Sequence, residues 1–515
     1  MSYQNFDRIG LIDIGSNTIR LVVFEIDPYE SFRELLNIKN PARLVQYIDN
    51  HMMSEEGVET LIYILKSFAD ILKRYQIKEL IPIATAAVRQ SDNALSIQRR
   101  VYEETGIELK ILSEKKEAFY GNYAVRHTLP VKDGISVDIG GGSTELTYFK
   151  NKKIVATHSF PFGTVSLKAQ FFEGKDHNDS KAIKKARKWI SEQFKNYSWI
   201  KDSNIPLVGI GGSARNIAEV YQHQNNYPIA GIHGYVMEKD NLEKTVDLFT
   251  SSSLEELEDL DGLSSDRRDI IIPAALVFNE LFNVMDAENF VMSSYGIREG
   301  LIIEYINQKP YYPYSLNYIQ QQTVYRIAKQ YKLMDVPSDH RINIASQLQY
   351  ELERLGILKP SMHDIEFLHF GAALYYLGTL IEDKSESQHT YYILSNSNLK
   401  GFTHKERVKL ALIASYKNRS LFKQYTEFTK DWFTEDELDM MMYLGSITKF
   451  AEALNDSQIN AVKNIDLQAA KKGYELTVTY QGNIIAEEYR AEKQRNHFER
   501  VLGDKVTITF ISDSQ

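Results

Sequence analysis

The stretch SVDIGGGSTEL, residues 136–146, decides how the fold is interpreted, because three consecutive glycines stand inside an otherwise strand-like sequence. An apolar run ends at Asp138, and the polar residues Ser143, Thr144 and Glu145 follow the glycines. Glycine destabilises a strand or a helix by about 0.5–1 kcal/mol relative to alanine. The segment that follows, ELTYFKNKKIVATHSFPF, alternates β-branched and aromatic residues and predicts a strand. The triplet is therefore expected to form a turn between two strands.

This strand–turn–strand order excludes two common phosphate-binding loops. A Walker loop requires a lysine that is absent at the needed spacing, and a dinucleotide fingerprint requires a third glycine where Glu145 stands. Both loops also require a helix to begin at the glycines. We interpret the stretch as a phosphate loop whose glycines let backbone N–H groups approach a phosphoryl oxygen. Asp138 and Glu145 flank it and are suited to a hard cation such as Mg²⁺; a tight hairpin without a ligand is the alternative.

A related stretch near the N-terminus indicates an internal duplication. LIDIGSNTIRLVVF shares its Asp-Ile-Gly with the first stretch, as Asp13-Ile14-Gly15 and Asp138-Ile139-Gly140. Predicted helices and strands follow both copies, so we expect two α/β lobes with a cleft between them. A third glycine pair, in VGIGGSARN at 208–216, precedes a predicted helix. It predicts an anion site at the helix N-terminus or only a helix start with Ser213 as the N-cap.

Bulk composition limits the class of protein. The 515 residues are 43% hydrophobic and 25% charged, which predicts several ordinary domains. The absence of cysteine excludes disulfides and fits a reducing, cytoplasmic location, and no signal peptide or membrane-spanning run is visible. The net charge of −9 argues against nucleic acid as a partner, so a polyanion would need a locally basic channel. The clusters KAIKKARKW, RRV and KNKK are candidates for such a channel or for solvated surface.

The composition changes from about residue 306. PYYPY at 310–314 is interpreted as a linker, and the segments after it predict helices, including DIEFLHFGAALYYLGTLI at 364–381. The last segments, GYELTVTYQGNIIAEEY and KVTITFIS, alternate on either side of a charged helix and predict a small α+β module. The predicted domains are 1–125, 126–305, 306–445 and 446–515.

Five turns together resemble the exopolyphosphatase and guanosine pentaphosphate phosphohydrolase (Ppx/GppA) family over residues 9 to about 303. In the order found in that family, they are DIGSNTIRLVVF, ATAAVRQ, SVDIGGGSTEL, GIGGSARNIA and SSYGIREGLI. The later segment HTYYILSNSNLKGFTHKE is similar to the long members. The resemblance implies an α/β fold of two ribonuclease-H-like lobes, shared with actin, acetate and sugar kinases and heat-shock chaperones. A helical domain and a small C-terminal module would follow these lobes.

The resemblance also implies which residues form the site. Asp138 and Glu145 are expected to bind a catalytic Mg²⁺, with Asp13 nearby. Arg89, in TAAVRQ, matches the family's phosphate-contacting arginine, although from the sequence alone it reads as a surface arginine just past a strand. The remaining residues expected around the terminal phosphates are Ser16, Asn17, Gly140, Gly141, Gly142, Ser143, Gly211, Gly212 and Ser213.

The catalytic base implied by the resemblance is Glu117. In the family it is the second glutamate of a segment resembling SGxEEA, and the corresponding segment here is SEKKEA at 113–118. Lys116 replaces the first glutamate of the pair, and Glu114 replaces the glycine. Arg298 and Glu299, in GIREG, are expected to tie the lobe together rather than to touch substrate.

The helical domain resembles metal phosphohydrolases of the His-Asp type but lacks their ligands. Tyr375 and Tyr376 stand where a histidine and an acidic residue are expected. His363 and Asp364 come ten residues too early, and Asp364 is expected to cap a helix. We therefore expect a domain without a catalytic metal, which serves as the surface of a homodimer or as a guide for polyphosphate.

The resemblance implies an exopolyphosphatase that releases orthophosphate from the ends of inorganic polyphosphate. Water would attack the terminal phosphate with help from Mg²⁺ and a glutamate base, without a covalent phosphoenzyme. Guanosine pentaphosphate is an alternative substrate, and no motif separates the two. A kinase of the same fold would need an adenosine pocket, for which GIGGSARN is the strongest signal. A non-catalytic sensor of polyphosphate or alarmone nucleotides is the last alternative, because SEKKEA is altered and the His-Asp pair is missing.

Overall fold

The structure, a computed structural model, describes residues 7–26, 32–308, 319–331, 333 and 336–513. The chain divides into two compact units. The first unit runs to Asn226 and continues over Ile232–Ile319, and the second contains Tyr227–Gly231 and Gln320–Gln515. The predicted linker PYYPY lies outside the described residues. Within the described part of the chain, no helix combines the length and the apolar character needed to cross a bilayer.

The first lobe of the first unit is built on a five-stranded sheet with the order β3-β2-β1-β6-β7. Its strands are β1 (Asp7–Ile14), β2 (Ile19–Ile26), β3 (Phe32–Asn40), β6 (Glu79–Ala84) and β7 (Lys110–Ile111), and the short strands β4 (Ile48–Asp49) and β5 (Met52–Met53) form a separate pair. Its helices are α1 (Glu55–Arg74), α2 (Ala86–Arg89), α3 (Ala94–Thr105) and α4 (Glu114–Thr128), and a 3₁₀ helix spans Leu44–Tyr47.

The second lobe repeats this order in a six-stranded sheet, β10-β9-β8-β11-β13-β12. Its strands are β8 (Gly134–Ile139), β9 (Thr144–Lys150), β10 (Lys153–Phe160), β11 (Leu207–Ile210), β12 (Val236–Met237) and β13 (Phe290–Ser293). The helices are α5 (Thr164–Phe172), α6 (Ser180–Lys195), α7 (Gly211–Gln224), α8 (Lys239–Ser251), α9 (Leu254–Glu258), α10 (Ile271–Met285) and α11 (Ile297–Asn307), with a 3₁₀ turn at Ser265–Arg267. In both lobes three antiparallel strands are followed by two parallel strands, and the second sheet ends with β12, which pairs antiparallel with β13.

Helices cover both faces of the first sheet, which explains its near-continuous apolar strands. Leu61 and Leu65 of α1 pack on one face with Ile12 and Ile14. On the other face, α4 and α11 pack against Leu11 and its neighbours. The helix α4 also reaches the core of the second sheet through Val125 and Leu129. Since α4 belongs to both cores, its first turn is held next to the cleft between the lobes.

The second unit combines helices with a three-stranded sheet of order β14-β15-β16. Its helices are α12 (Ile319–Gln330), α13 (Val336–Arg354), α14 (Met362–Ala373), α15 (Glu386–Asn396), α16 (His404–Ala414), α17 (Arg419–Thr426), α18 (Glu435–Ala453) and α19 (Ile485–Leu502). Its strands are β14 (Val462–Ala469), β15 (Tyr474–Tyr480) and β16 (Val506–Ser512). One apolar core joins these helices to the sheet, with Phe450 of α18 stacked on Phe498 of α19.

Two details of the second unit differ from the sequence prediction. The helix predicted over 364–381 ends at Ala373, because Tyr376 adopts a left-handed conformation and its N–H donates to Ala414 O instead. The strand β14 was not predicted, since VKNIDLQA lacks a clean apolar alternation. Asp364 accepts the N–H of Ser361 in a capping box, which confirms its capping role, although Ser361 is the N-cap itself.

Candidate active site

The two related glycine turns have the same backbone hydrogen bond. Gly15 N–H donates to Thr18 O at 3.0 Å in the first lobe, and Gly140 N–H donates to Ser143 O at 2.9 Å in the second. Each turn joins the first two strands of its sheet, as the repeated Asp-Ile-Gly predicted. We call residues 15–18 the first turn and residues 140–143 the second turn. The strand–turn–strand interpretation of SVDIGGGSTEL is confirmed.

The surrounding chain does not explain why the second turn contains three glycines. Gly140, Gly141 and Gly142 are exposed, and none of them has a positive φ. A Cβ on Gly142 would meet no atom within 4 Å, and a Cβ on Gly140 or Gly141 would make only ordinary contacts of 3.4 Å or more. Gly163 is different, because a Cβ there would lie 2.4 Å from Gly140 O. The open space above the triplet is therefore available to a ligand.

Each turn is held from behind by other backbone groups. In the second lobe, the N-terminus of α5 contacts the triplet: Thr164 N–H donates to Gly140 O, and Val165 N–H donates to Gly141 O, both at 2.9 Å. In the first lobe, the residues before and within the 3₁₀ helix bind the carbonyl groups of Ser16 and Asn17. The turns are thus fixed by their carbonyl groups.

The residue opposite each aspartate differs between the lobes. Asp138 pairs across the hairpin with Glu145, and Asp13 pairs with Arg20. Directly opposed residues of an antiparallel pair project from the same face of the sheet. The second lobe therefore presents two carboxylates beside its turn, whereas the first lobe presents a carboxylate and a guanidinium.

Four carboxyl groups influence one another at this place: Asp13, Glu117, Asp138 and Glu145. Burial raises the pKa of Glu145 to about 7; hydrogen bonds from Ser143 and Ser159 oppose this shift, and the charges of Asp138 and Glu117 add to it. Burial and the charge of Asp13 raise the pKa of Asp138 to about 6, against the opposing effect of Arg267.

The other two carboxyl groups respond in the same direction. Burial raises the pKa of Asp13, while Arg298 and Arg20 oppose the increase. Burial also raises the pKa of Glu117, and the hydrogen bond from Arg89 opposes it. The common and largest cause is burial, which disfavours the charged form of each carboxyl group.

Glu117 lies in the first turn of α4 and is bound by Arg89. Arg89 Nη1 donates to Glu117 Oε2 at 2.7 Å and to Leu112 O at 2.9 Å. Arg89 itself follows β6 in the short helix α2, with a side chain only 16% exposed, so the surface reading of this residue is wrong. A cavity of about 10 Å³ separates Glu117 from Asp138 and Glu145, which is about the room of one water molecule.

The donor set fits a divalent cation bound through few protein ligands. In the part of the chain that the structure describes, no group of three or more His, Asp or Glu side chains is close enough to form a cage. Mg²⁺ commonly keeps several waters and takes one or two carboxylates together with substrate phosphates. Asp138 and Glu145, opposite each other on one sheet face, are suited to that role.

The third glycine pair begins α7 directly after β11. Gly211 has φ +88°, and a Cβ on it would lie 2.9 Å from Asp138 Oδ1. A Cβ on Gly212 would lie 2.3 Å from Arg267 Nη2, so glycine makes room for this guanidinium. Ser213 is not the N-cap, which is Ile210; its hydroxyl instead accepts a hydrogen bond from Arg267 Nη1 at 3.2 Å.

Two arginines at this site, Arg20 and Arg267, were not among the site residues predicted from the sequence. Arg20 is close enough to Asp13, Arg298 and Arg215 for their charges to act on it, and burial lowers its pKa. Burial likewise lowers the pKa of Arg267. Arg20 had a signal, because it stands seven residues after Asp13, as Glu145 stands seven after Asp138. Arg267 had none, since it lies in a 3₁₀ turn far along the chain from Ser213.

The structure also gives the partners of the GIREG residues, of the tyrosine pair and of the basic clusters. Arg298 Nε is 4.0 Å from Asp13 Oδ2, and Glu299 accepts the N–H of Gly296 at the start of α11. Tyr375 and Tyr376 stack with ring centroids 4.0 Å apart, and Tyr375 donates to Tyr416 O. The basic clusters are mostly engaged elsewhere: Arg99 and Arg100 pair with glutamates, Lys152 binds backbone carbonyl groups, and α6 buries its apolar side, including Ala186 and Ile190.

Comparisons with known proteins agree with this geometry. The sequence model of the Ppx/GppA phosphatase family matches residues 22–309, and that of domain III of the same phosphatases matches residues 319–493. A bifunctional 3-dehydroquinate synthase/phosphatase of Fusobacterium nucleatum is 28% identical over 319 residues, which are 60% of this chain and 48% of that protein. The chain thus spans about half the length of this curated relative.

Two solved structures resemble the chain over a similar extent. A Ppx/GppA family member from Aquifex aeolicus is 25% identical, with a TM-score of 0.54 over 59% of this chain and 100% of that chain. An exopolyphosphatase from Cytophaga hutchinsonii is 22% identical, with a TM-score of 0.53 over 59% of this chain and 99% of that chain, and this likeness concerns the fold.

Proposed function

Because the chain belongs to the Ppx/GppA phosphatase family, we propose that it hydrolyses the terminal phosphoanhydride bond of inorganic polyphosphate and releases orthophosphate. The observation that carries the proposal is the meeting of four carboxyl groups with two glycine turns and several arginines in one cleft. A terminal phosphoanhydride repels a nucleophile through its negative charge. Cations and backbone donors around it lower that barrier, and a carboxylate next to a water-sized space supplies the base.

The substrate is held, in this proposal, between the first and second turns. The space above Gly142 takes the terminal phosphate, where the glycines allow close approach of the backbone. Arg20 and Arg267, one from each lobe, bring positive charge to the phosphoryl oxygens as charge develops on them. Gly212 leaves room for the guanidinium of Arg267, and Ser213 keeps it in place by accepting its hydrogen bond.

Glu117 is proposed as the general base. Its carboxylate borders the cavity of about 10 Å³, where it can orient a water and take its proton as the water oxygen attacks phosphorus. The bond between phosphorus and the bridging oxygen breaks, and the shortened chain leaves. Arg89 opposes the effect of burial on the pKa of Glu117 and fixes the direction of its side chain, because an opposite charge at hydrogen-bond distance favours the carboxylate form. No covalent phosphoenzyme forms.

Mg²⁺ is the proposed cofactor, with Asp138 and Glu145 as its ligands and Asp13 nearby. When bound, it would neutralise charge on the phosphate oxygens. The support for this proposal is the chemistry of the donor set, in which two carboxylates stand opposite each other on one face of the sheet.

The variant Glu117→Gln tests the mechanism. We expect turnover to fall about 10²–10⁴-fold, because general base catalysis is removed while the shape of the side chain is kept. Binding of tripolyphosphate, measured by calorimetry, should remain. Glu114→Gln in the same helical turn is the matched control, since Glu114 is 49% exposed and lies 3.8 Å from Arg89. Wild-type turnover in Glu117→Gln would exclude the assignment.

Substrate choice is tested by measuring phosphate release from long polyphosphate and from guanosine pentaphosphate side by side, with Mg²⁺ and then with a chelator. Preferred release from guanosine pentaphosphate would establish the alternative hydrolase. Binding of either compound without release would indicate a regulator, a reading motivated by the lysines around Glu117. ATP-dependent phosphorylation of an acceptor would indicate a kinase.

The proposal includes the four domains predicted from the sequence. The shared strand order of the two sheets supports two ribonuclease-H-like lobes over 1–125 and 126–305. We likewise propose a helical His-Asp-type domain over 306–445 without its metal site, and a C-terminal α+β module over 446–515. A cytoplasmic homodimer that binds neither nucleic acid nor membrane remains the expectation, and light scattering of the purified chain would test the dimer.

A further inference from the structure

A cavity of about 480 Å³ lies in the second lobe, apart from the carboxyl groups and glycine turns of the candidate site. It is bordered by α5, by the segment that follows α5, and by the starts of α9 and α10. Its apolar lining consists of Phe172, Leu254 and Pro273. Its polar lining includes two lysines, two aspartates and a histidine: Lys168, Lys175, Asp176, Asp269 and His177. Its volume is within the range of about 300–1,000 Å³ that is typical of pockets for small organic ligands.

Two polar groups at this cavity have hydrogen-bonding capacity left over. His177 Nε2 is buried and has no hydrogen-bond partner within the described residues. Burial and the charge of Lys168 lower the pKa of His177, so its ring is neutral near pH 7. Lys175 is exposed and donates to Phe171 O; it forms no ion pair with any described residue, so its other two N–H groups are open to solvent or to a ligand. A buried polar group without a partner costs stability unless a ligand or water satisfies it.

We propose that this cavity binds an organic anion that carries one acidic group on a flat, apolar body of nucleoside size. The acidic group is held by Lys175 and His177, and the body packs on Phe172, Leu254 and Pro273. Lys168 is already paired with Asp269 at 2.7 Å, so the charge available to the ligand suits one acidic group rather than a long polyanion.

The walls of the cavity are connected to the second turn and to the third glycine pair. Helix α5 begins at Thr164 and Val165, whose N–H groups hold the carbonyl groups of Gly140 and Gly141. Lys168 is one helical turn further along α5. On the opposite wall, Asp269 is two residues from Arg267, which contacts Ser213. Because the Lys168–Asp269 pair joins these walls, occupancy of the cavity changes the affinity of the turns for phosphate.

Hydrogen exchange of the full-length Glu117→Gln protein, with adenosine monophosphate as the probe, tests the binding site. We expect protection of peptides covering 165–178 and 251–273, and weaker protection with adenosine or inorganic phosphate alone. Lys175→Met should weaken binding of the probe about 10-fold, the loss of one charged hydrogen bond. Leu254→Trp should abolish it by filling the cavity; Leu254 is 45% exposed, so the fold has room for the larger ring. Lys181→Met, an exposed lysine of α6, is the matched control.

Protection confined to the glycine turns, or equal affinity in Leu254→Trp and wild type, would overturn the site. The coupling is measured separately, as the affinity for tripolyphosphate with and without saturating probe. We expect a change of about 5-fold or more, which disappears in Leu254→Trp. An unchanged affinity despite protection would overturn the coupling. These readouts are binding measurements, so they remain decisive even where the proposed hydrolysis fails.

Discussion

The first and second turns have the same backbone hydrogen bond, but the residues beside them differ in charge. Both follow Asp-Ile-Gly, and in both the glycine N–H closes the turn on the residue three positions later. The residue seven positions after the aspartate is Arg20 in the first lobe and Glu145 in the second. We infer that the duplicated unit provides two equivalent phosphate cradles. In the proposed function, a single cross-strand position assigns the first turn to anion contacts and the second turn to the metal ion.

The supports of the two turns differ as well. The second turn is held by the N-terminus of a regular helix, where Gly163 is required because a Cβ would collide with Gly140 O. The first turn is held by a short 3₁₀ helix that begins after Arg43, a residue in the left-handed conformation. Among the described residues, α5 therefore connects the second turn to the cavity lined by Phe172 and Lys175.

The largest expected effect within this comparison comes from Arg20→Gln. Removing a cation that faces the developing charge should lower kcat/KM about 10²–10³-fold. The Mg²⁺ concentration for half-maximal rate should not change, because Asp138 and Glu145, which flank the second turn, are unaltered. Steady-state kinetics at several Mg²⁺ concentrations would measure both quantities.

The control for Arg20→Gln is Arg33→Gln. Arg33 lies in the same sheet but pairs with Glu25 at 2.6 Å. A large increase in the Mg²⁺ requirement of Arg20→Gln would contradict the division of roles between the turns.

Gly142→Ala should have the next largest effect. A Cβ at Gly142 would meet nothing in the protein and the φ angle is not positive, so the free energy of unfolding should change by less than about 1 kcal/mol. If a phosphate occupies that space, the methyl group displaces it by about 1 Å, and kcat should fall about 10²-fold. Denaturant unfolding and turnover measured on the same preparation would separate the two effects.

Gly212→Ala is the companion variant. Here a Cβ would lie 2.3 Å from Arg267 Nη2, so activity should fall because a protein side chain moves. Full activity in Gly142→Ala would instead support the ligand-free hairpin as the explanation of the second turn.

Glu145→Gln should raise the Mg²⁺ concentration needed for activity more than it lowers the rate at saturating Mg²⁺. Loss of one carboxylate from the second turn is expected to raise the Mg²⁺ requirement about 10–100-fold, with partial recovery of rate at high Mg²⁺. Glu192→Gln, an exposed glutamate of α6, is the control. A loss of rate that no Mg²⁺ concentration restores would show that Glu145 has a role other than binding the cation.

The sequence predicted the parts of the site that are local in the chain. The glycine turns and the aspartates that flank them each have a short-range signal in the repeated Asp-Ile-Gly. Aligning the two copies would also have found Arg20. Arg267 could not be found in this way, because its place depends on how a 3₁₀ turn folds over Gly212.

The two differences between the sequence prediction and the structure of the second unit also arise from contacts distant in the chain. Helical periodicity continues past Ala373, but a left-handed Tyr376 and its hydrogen bond to Ala414 O end the helix there. Strand β14 has mixed polar and apolar residues and becomes a strand through pairing with β15. In both cases tertiary contacts override the local preference.

The smallest expected effect concerns the ion pair that joins the two lobes. Lys39 Nζ lies 2.7 Å from Asp266 Oδ2, and Asp266 precedes Arg267 in the chain. The two side chains are 41% and 39% exposed, so Lys39→Met should change the free energy of unfolding by less than about 1 kcal/mol. The same limit corresponds to a change in kcat/KM of about 5-fold at most, and the difference from wild type should shrink in high salt, where exposed charges are screened. If Lys39→Met instead matched the loss in Arg20→Gln, the position of Arg267 would depend on the first lobe, and the two turns would not act as separate halves.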